Sequence, residues 1–204
     1  MDNLYLAVVH DIKNQLAELA LQLERRGDCG RETGIALSAA RRLTQMLLAQ
    51  RGQRGQLQVD IDSHSPGDLL EELAGEYRIL FPTLAIAVDA ASIPDYWFYD
   101  AALLRLALGN ALHNACRSAV GQVRLHAGAE DDWLLLGVSD DGSGYPQAIL
   151  DQQALHEPMR VSNNGTGLGL YLAAEIAGLH RNDGRVGRVD LANQGGATFL
   201  LRIP

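Results

Sequence analysis

The sequence predicts an α+β protein with two unlike parts. The first is an N-terminal helical hairpin that forms a dimeric four-helix bundle, and the second is an α/β sandwich with a mixed sheet and helices on one face. Two observations predict this fold. Apolar residues in the first fifty positions recur at steps of three and four, whereas helical stretches beyond residue 57 alternate with strand-like patterns. A third observation concerns function: the glycine clusters VSDDGSGY (138–145) and GTGLGLYL (165–172) suggest backbone that approaches something closely.

The composition excludes several classes of protein. The 204 residues include 17 basic and 25 acidic side chains, a net charge of −8, which argues against nucleic-acid or anionic-membrane binding. No apolar run reaches the roughly 18 residues of a membrane helix, and no signal peptide opens the chain. We therefore expect a cytoplasmic protein with no membrane insertion. Cys29 and Cys116 form no CxxC pair and are expected to be reduced and structural.

The N-terminal part is predicted to be two helices separated at RRGDCGRE (25–32), where Gly27 can take the left-handed position after a helix end. Two helices of this size cannot enclose a core, so we expect them to pair with a second copy in a homodimer. The alternative is that both helices pack on the rest of the chain. The apolar seam of the first helix is Tyr5, Val9, Ile12, Leu16, Leu19 and Leu23, and the face of the second is Ala36, Ala39, Leu43 and Met46.

The polar, glycine-containing stretch RGQRGQ (51–56) predicts a linker, which gives domains at residues 1–54 and 55–204. A strand pattern follows at 57–61, and a helix begins with Ser65 as N-cap and Pro66 in its first turn. The remaining predicted elements are a strand near 84–88, a helix from about 100 to 118, strands at 122–127 and 133–139, a helix that opens in the second glycine cluster, and strands at 186–192 and 197–203.

The helix near 100–118 carries three polar residues on one stripe, because Asn110, Asn114 and Arg117 are spaced at i, i+4 and i+7. Buried carboxamides and a buried guanidinium need partners, which a ligand with oxygens and a metal would supply. A stripe that simply faces solvent fits this helix equally well.

The two glycine clusters favour the ligand interpretation. A helix that opens in GTGLGL offers free N–H groups to an anion such as a phosphate. No acidic residue follows at the distance typical of dinucleotide sites, and the lysine of the common phosphate-binding loop is missing. In the first cluster, Asp140 follows an apolar strand, and its carboxylate could accept a hydrogen bond from an exocyclic amine. Such a contact would select adenine over guanine.

Four motifs in this order resemble the ATP-binding domain of sensor histidine kinases, within the GHKL ATPase superfamily: Asn-x-x-x-Asn-Ala (110–115), Asp-x-Gly-x-Gly (140–144), Gly-Thr-Gly-Leu-Gly-Leu (165–170) and the closing NQGGATFLLRIP (193–204). The resemblance implies that ATP and Mg²⁺ are bound. It implies that Asn114 ligates Mg²⁺, that Asn110 lies beside the triphosphate and that Arg117 reaches phosphate. Asp140 would take the adenine amine. The other implied contacts are Gly142 and Gly144 in the base pocket, Gly165, Thr166, Gly167, Leu168 and Gly169 at the lid and phosphates, and Thr198 near the adenine end.

The resemblance extends to HDIKNQL (10–16), which looks like the phosphoacceptor box of the same family, with His10 as the phosphorylated residue. His10 follows a seam position and so lies outside the core, and a neutral imidazole nitrogen is a workable nucleophile near neutral pH. Asp11 could orient the ring and accept its proton. The implied partner is the receiver domain of a response regulator, and Asp11 with Asn14 or Gln15 could position water to dephosphorylate it.

The chain also departs from the family pattern. Asp11 stands where glutamate is commonest after the histidine, no phenylalanine lies between the two glycine clusters, and HRNDG (180–184) replaces a glycine pair. Two alternatives remain at this point. One is a histidine phosphotransfer or scaffold protein with a non-functional nucleotide pocket. The other is a serine kinase of the anti-sigma-factor type, against which the hairpin at residues 1–50 argues.

Overall fold

The structure, a computed structural model, describes residues 58–90, 93–153 and 168–204, together with scattered positions between residues 12 and 46. Contacts divide the chain into two compact units, Met1–Leu57 and Gln58–Pro204. That division falls close to the predicted boundary after residue 54, while the roles given to the two parts stay predictions. None of the helices in the described part of the chain has the length and apolar character that crossing a bilayer requires.

Every described position of the N-terminal unit is helical, Gln15 among them. Ile12 and Leu19, two members of the predicted seam, are 42% and 45% exposed in the single chain. The hairpin and its dimer stay predictions. His10, Asp11 and Asn14 lie outside the described residues.

The C-terminal unit contains four helices and nine strands in its described residues. The helices are α1 (Pro66–Leu80), α2 (Ala101–Ser118), α3 (Gln147–Gln153) and α4 (Leu168–Leu179). The strands are β1 (Asp62–His64), β2 (Ala85–Asp89), β3 (Trp97–Tyr99), β4 (Gln122–Glu130), β5 (Trp133–Asp140), β6 (Arg181–Asn182), β7 (Arg185–Val186), β8 (Arg188–Asn193) and β9 (Ala197–Ile203). The main sheet has the order β2-β4-β5-β9-β8; β2 and β4 are parallel and the other neighbours antiparallel. The predicted mixed sheet is confirmed.

The helices form one layer against this sheet. In β5, the side chains of Leu134, Leu136 and Val138 share one face and are all buried, which indicates a strand covered on that face. Helix α2 contacts α1, α4, β4 and β5, and α4 also contacts β8 and β9. The core of α2 consists of fully buried leucines one turn apart, Leu104, Leu108 and Leu112.

The N-terminal end of α2 is a buried junction. Asp100 is 7% exposed and caps the helix: one carboxylate oxygen accepts from Leu103 N–H (2.9 Å) and the other from Asp60 N–H (3.0 Å). The backbone N–H of Asp100 donates to His180 Nε2 at 3.1 Å, and His180 Nδ1 lies 2.8 Å from the Ile176 carbonyl oxygen. This histidine therefore connects the end of α4 to the start of α2. Burial is the main cause that lowers the pKa of His180.

Several predicted elements differ from the observed ones. The strand predicted at 57–61 was wrong: β1 begins at Asp62, and Asp60 uses its N–H to reach Asp100 instead of a neighbouring strand. The strand predicted from 186 begins at Arg188, because Gly187 N–H donates to the His180 carbonyl. The short elements β3, α3, β6 and β7 were not predicted, since two to seven residues carry too little periodicity. The N-cap at Ser65 was predicted correctly, and its hydroxyl accepts from Asp68 N–H at 3.2 Å.

Candidate functional site

The polar stripe of α2 runs from the core to the surface. Asn110 is 4% exposed, whereas Asn114 and Arg117, one and two turns later, are exposed. Neither sequence interpretation describes this arrangement fully, because the stripe is neither wholly buried nor wholly solvated. The guanidinium of Arg117 also lies in the last turn, where the helix dipole favours a cation. The stripe therefore presents two exposed polar groups beside a buried carboxamide.

Asp140 lies at the end of β5 on the face that the helices cover. Its Oδ1 accepts from Gly142 N–H at 2.8 Å and from Ala197 N–H at 3.4 Å. In the described part of the chain no donor reaches Oδ2, so that oxygen is available to a ligand. Burial, and then the nearby Asp140 carboxylate, raise the pKa of Cys116 to about 12. Because Cys116 belongs to α2, the carboxylate lies close to the last turns of that helix.

The loop after Asp140 packs directly on the C-terminal end of α2. A Cβ on Gly142 would collide with the carbonyl oxygen of Ser118, the last residue of the helix. Asp141 accepts three backbone N–H groups just beyond the helix, from Val120 at 2.8 Å and from Gly121 and Gln122 at 3.1 Å. These bonds, that of Gly121 first, lower the pKa of Asp141. Asp140 and Asp141 thus have different contacts, and the structural role of Asp141 was not predicted.

The end of β8 holds the other side of the same loop. Asn193 Oδ1 accepts from Tyr145 N–H at 2.7 Å, and Asn193 Nδ2 donates to the Tyr145 carbonyl at 2.9 Å. Gly144 has φ +77°, and a Cβ there would lie 2.7 Å from the Asn193 amide. In the turn that follows, a Cβ on Gly196 would collide with the carbonyl oxygen of Asp140. Sequence reasoning missed Asn193 and Gly196, although both lie in the quoted closing motif.

The described part of the second glycine cluster meets the asparagine stripe. Gly169 lies in the first turn of α4, and a Cβ there would be 3.9 Å from the Cβ of Asn110. Leu168 begins the same helix and is half-buried. Gly165, Thr166 and Gly167 lie outside the described residues. The structure therefore brings Asn110 together with Gly169.

Thr198 is not brought together with the other residues. It pairs with Ser139 on one side and Ala192 on the other, so it lies on the sheet face opposite that of Val138 and Asp140. The residue beside the Asp140 carboxylate is Ala197, one position earlier. Since side chains in a strand alternate between faces, a shift of one residue moves a side chain across the sheet.

The residues present suit a hard cation held together with a phosphate ligand. A carboxamide oxygen such as that of Asn114 is a suitable ligand for Mg²⁺, which usually keeps several waters and is shared with substrate phosphates. In residues 58–90, 93–153 and 168–204, and at the described N-terminal positions, no three His, Cys, Asp or Glu side chains group as metal ligands. A cation here would therefore depend on oxygens of a bound ligand.

Comparisons with known proteins show which family the chain resembles. The family described as histidine kinase-, DNA gyrase B-, and HSP90-like ATPase matches residues 99–204. The sensor-type histidine kinase PrrB of Mycobacterium tuberculosis is 31% identical over 166 residues, which cover 76% of this chain and 35% of PrrB. The alginate biosynthesis sensor protein KinB of Pseudomonas aeruginosa is 36% identical over 104 residues, 48% of this chain and 16% of KinB. This chain thus spans about a third of PrrB and less of KinB.

Two solved structures support the fold. The ATP binding domain of PrrB from Mycobacterium tuberculosis superposes with a TM-score of 0.56 at 29% identity, covering 71% of this chain and 97% of that domain. Full-length ShkA in complex with AMPPNP gives a TM-score of 0.68 at 21% identity, over 98% of this chain and 45% of ShkA. At that identity the second likeness shows the fold alone. This chain therefore belongs to the family of histidine kinase-, DNA gyrase B- and HSP90-like ATPases, and it carries the ATP-binding catalytic domain of a sensor histidine kinase.

Proposed function

We propose that the chain is the kinase core of a two-component sensor, which binds ATP with Mg²⁺ and transfers the γ-phosphoryl group to His10. The observation that carries this proposal is the convergence on α2. The Asp140 loop packs on the end of the helix at Ser118, and the first turn of α4 meets Asn110 two turns earlier. Helix α2 thus carries the buried carboxamide of Asn110. Beside it lie the carboxylate of Asp140 and the first turn of α4, a helix start of the type that binds phosphate.

Each residue of the proposed site has a role. Asp140 would accept the adenine amine through its second oxygen, and the glycines of the two clusters would let backbone approach the nucleotide. Asn114 would hold Mg²⁺, which when bound offsets phosphate charge. Arg117 would reach phosphate from the exposed last turn. Asn110 would position the triphosphate from its buried site beside Gly169.

The transfer step is a phosphoryl exchange between oxygen and nitrogen. A lone pair of the His10 ring forms a bond to the γ-phosphorus, while the bond to the bridging oxygen breaks and ADP leaves with that oxygen. The phosphorylated ring then loses the proton on its other nitrogen to a base, and Asp11 is the neighbouring carboxylate that fits. The phosphoryl group would then move to an aspartate of a response-regulator receiver domain. In a separate hydrolytic reaction, Asp11 with Asn14 or Gln15 would position water that attacks the aspartyl phosphate of the regulator and releases inorganic phosphate.

The exposed seam supports the proposed oligomeric state. Ile12 and Leu19 are more than two-fifths exposed in a single chain, and a second copy would bury them in a four-helix bundle. We propose a homodimer on this basis. The cytoplasmic location predicted from composition belongs to the same proposal.

The test is incubation of the chain with γ-labelled Mg-ATP, followed by measurement of protein-bound label. We expect label that is lost in acid and retained in base, as an N–P bond requires, and no label on His10→Gln. The matched control is His64→Gln, which replaces a half-buried histidine of β1 far in sequence from the acceptor and should label normally.

Other outcomes lead to the alternatives. Label retained on His10→Gln would move the acceptor elsewhere, and acid-stable label would indicate a serine kinase. A chain that shows no saturable binding of Mg-ATP would be the scaffold or phosphotransfer protein with a non-functional pocket.

A further inference from the structure

The segment between Asp140 and Tyr145, here called the Asp140 loop, is held from three sides. Helix α2 supports it at Ser118, the turn after β8 supports it at Gly196, and Asn193 binds it at Tyr145. The first two contacts are close packing of backbone. The third is made by a side chain, and it is the one that a substitution can remove.

The Asn193 contact has the form of a two-point backbone bridge. One carboxamide accepts the N–H and donates to the C=O of the same residue, Tyr145, at 2.7 and 2.9 Å. An amide side chain satisfies both backbone groups of a residue only when that residue presents them together, so the contact fixes the position and the orientation of Tyr145. The neighbouring Gly144, at φ +77°, lies against the same amide with no space for a Cβ.

Tyr145 is itself close to the ligand-facing carboxylate. Burial, and then the charge of Asp140, raise the pKa of the Tyr145 hydroxyl. The Asp140 carboxylate in turn bonds Gly142 N–H within the loop. A displacement of Tyr145 would therefore be transmitted over a few bonds to the group that is proposed to read the adenine.

We propose that Asn193 is a positioning residue of the nucleotide site, which holds the Asp140 loop in its binding conformation before ATP arrives. This inference rests on the proposed function, because it assigns a cause of affinity to that same site. A loop that is ordered in advance loses less conformational entropy on binding, so the ligand binds more tightly. Asn193 lies at the end of β8, a strand of the main sheet, and the sheet supplies the rigid support.

The experiment measures the Kd of Mg-ATP by titration for the unsubstituted chain, Asn193→Ala, Asn193→Asp and the matched control Gln194→Ala. We expect Asn193→Ala to weaken binding about tenfold, since two hydrogen bonds of modest net strength are lost. Gln194→Ala, an adjacent exposed position, should bind as the unsubstituted chain does. For Asn193→Ala, catalytic turnover at saturating ATP should stay unchanged while the KM for ATP rises.

Asn193→Asp provides the readout that a general loss of stability would not move. Its carboxylate can accept from Tyr145 N–H but repels the Tyr145 carbonyl, whereas the protonated acid can both accept and donate. The affinity of Asn193→Asp relative to Asn193→Ala should therefore increase as the pH is lowered. Hydrogen exchange at the Tyr145 amide should be slow in the unsubstituted apo chain and fast in Asn193→Ala.

The outcomes separate the two proposals. Failure of the unsubstituted chain to bind Mg-ATP would reject the nucleotide site and the role of Asn193 with it, even if the Tyr145 amide were protected. Normal binding by the unsubstituted chain together with equally tight binding by a folded Asn193→Ala would reject the positioning role alone. A ratio between Asn193→Asp and Asn193→Ala that does not change with pH would also reject it.

Discussion

The two ends of helix α2 each depend on an aspartate that binds backbone N–H groups, but their surroundings differ. At the N-terminal end, Asp100 is buried and its bonds connect α2 to residue 60 and to His180. At the C-terminal end, Asp141 is half-buried and holds the turn after the helix, while Asp140 lies on the helix side with one oxygen that no described donor reaches. The comparison indicates that one end of α2 stabilises the fold, while the other end carries the proposed nucleotide-binding surface.

The largest expected effect separates stability from binding at the buried end. Asp100→Ala removes the acceptor of two backbone N–H groups, the buried one of Leu103 and the part-buried one of Asp60. We expect a loss of about 3 kcal/mol in the free energy of unfolding, measured by urea titration. Below the unfolding transition the variant should bind Mg-ATP nearly normally. The control Asp95→Ala, at an exposed position, should unfold like the unsubstituted chain. If Asp100→Ala had the same free energy of unfolding as Asp95→Ala, Asp100 would not stabilise the fold.

The second prediction concerns the C-terminal end of α2, where we expect a loss of nucleotide binding and little loss of stability. Asp140→Asn keeps the side-chain shape but replaces a charged acceptor at the position proposed to read adenine. We expect Mg-ATP to bind about 2 kcal/mol less tightly, roughly thirty-fold in Kd, with a much smaller change in unfolding. Equilibrium titration with ATP and with GTP measures this, because the preference for ATP should shrink as well. An unchanged preference would show that Asp140 does not read the base.

Sequence reasoning predicted the mixed sheet and the three long helices, because these signals repeat over many positions. It did not divide the roles of Asp140 and Asp141, since adjacent aspartates look equivalent until their side chains point to different neighbours. It gave Thr198 a role near the adenine end, whereas the residue beside the Asp140 carboxylate is Ala197, because side chains one residue apart in a strand lie on opposite faces of the sheet. Asn193 was missed for another reason: its partner Tyr145 is 48 residues away.

The third effect tests the buried junction through pH. The pKa of His180 is lowered, mainly by burial, so the unfolded chain binds a proton that the folded chain does not. Stability is therefore greatest above the ordinary histidine pKa of about 6.5 and decreases as the pH falls toward the lowered value, by up to about 1.4 kcal/mol per pH unit for one proton.

His180→Gln should remove this share of the pH dependence, measured as urea unfolding between about pH 8 and 5, without changing the affinity for Mg-ATP at pH 8. The pKa of His126 is lowered for the same main reason, burial, so His126→Gln serves as the matched comparison and should remove a separate share. If the slope of stability against pH were the same in His180→Gln and the unsubstituted chain, the histidine would not be a neutral bridge between α4 and α2.

The smallest expected effect concerns the Asp141 carboxylate. Backbone N–H bonds, that of Gly121 first, lower the pKa of Asp141, so its stabilising contribution is present above the ordinary aspartate pKa and is lost as the pH falls through the lowered value. Asp141→Asn should therefore unfold slightly more easily at neutral pH, and the difference from the unsubstituted chain should vanish in acid. Urea midpoints at both pH values measure this, with Asp95→Asn as a control that shows no such convergence.

Asp141→Asn should also weaken Mg-ATP binding less than Asp140→Asn does. Asp141 holds the turn at Val120–Gln122 and is not proposed to contact the nucleotide. If the two substitutions weakened Mg-ATP binding equally, Asp140 and Asp141 would not have separate roles and would act on the nucleotide as one group.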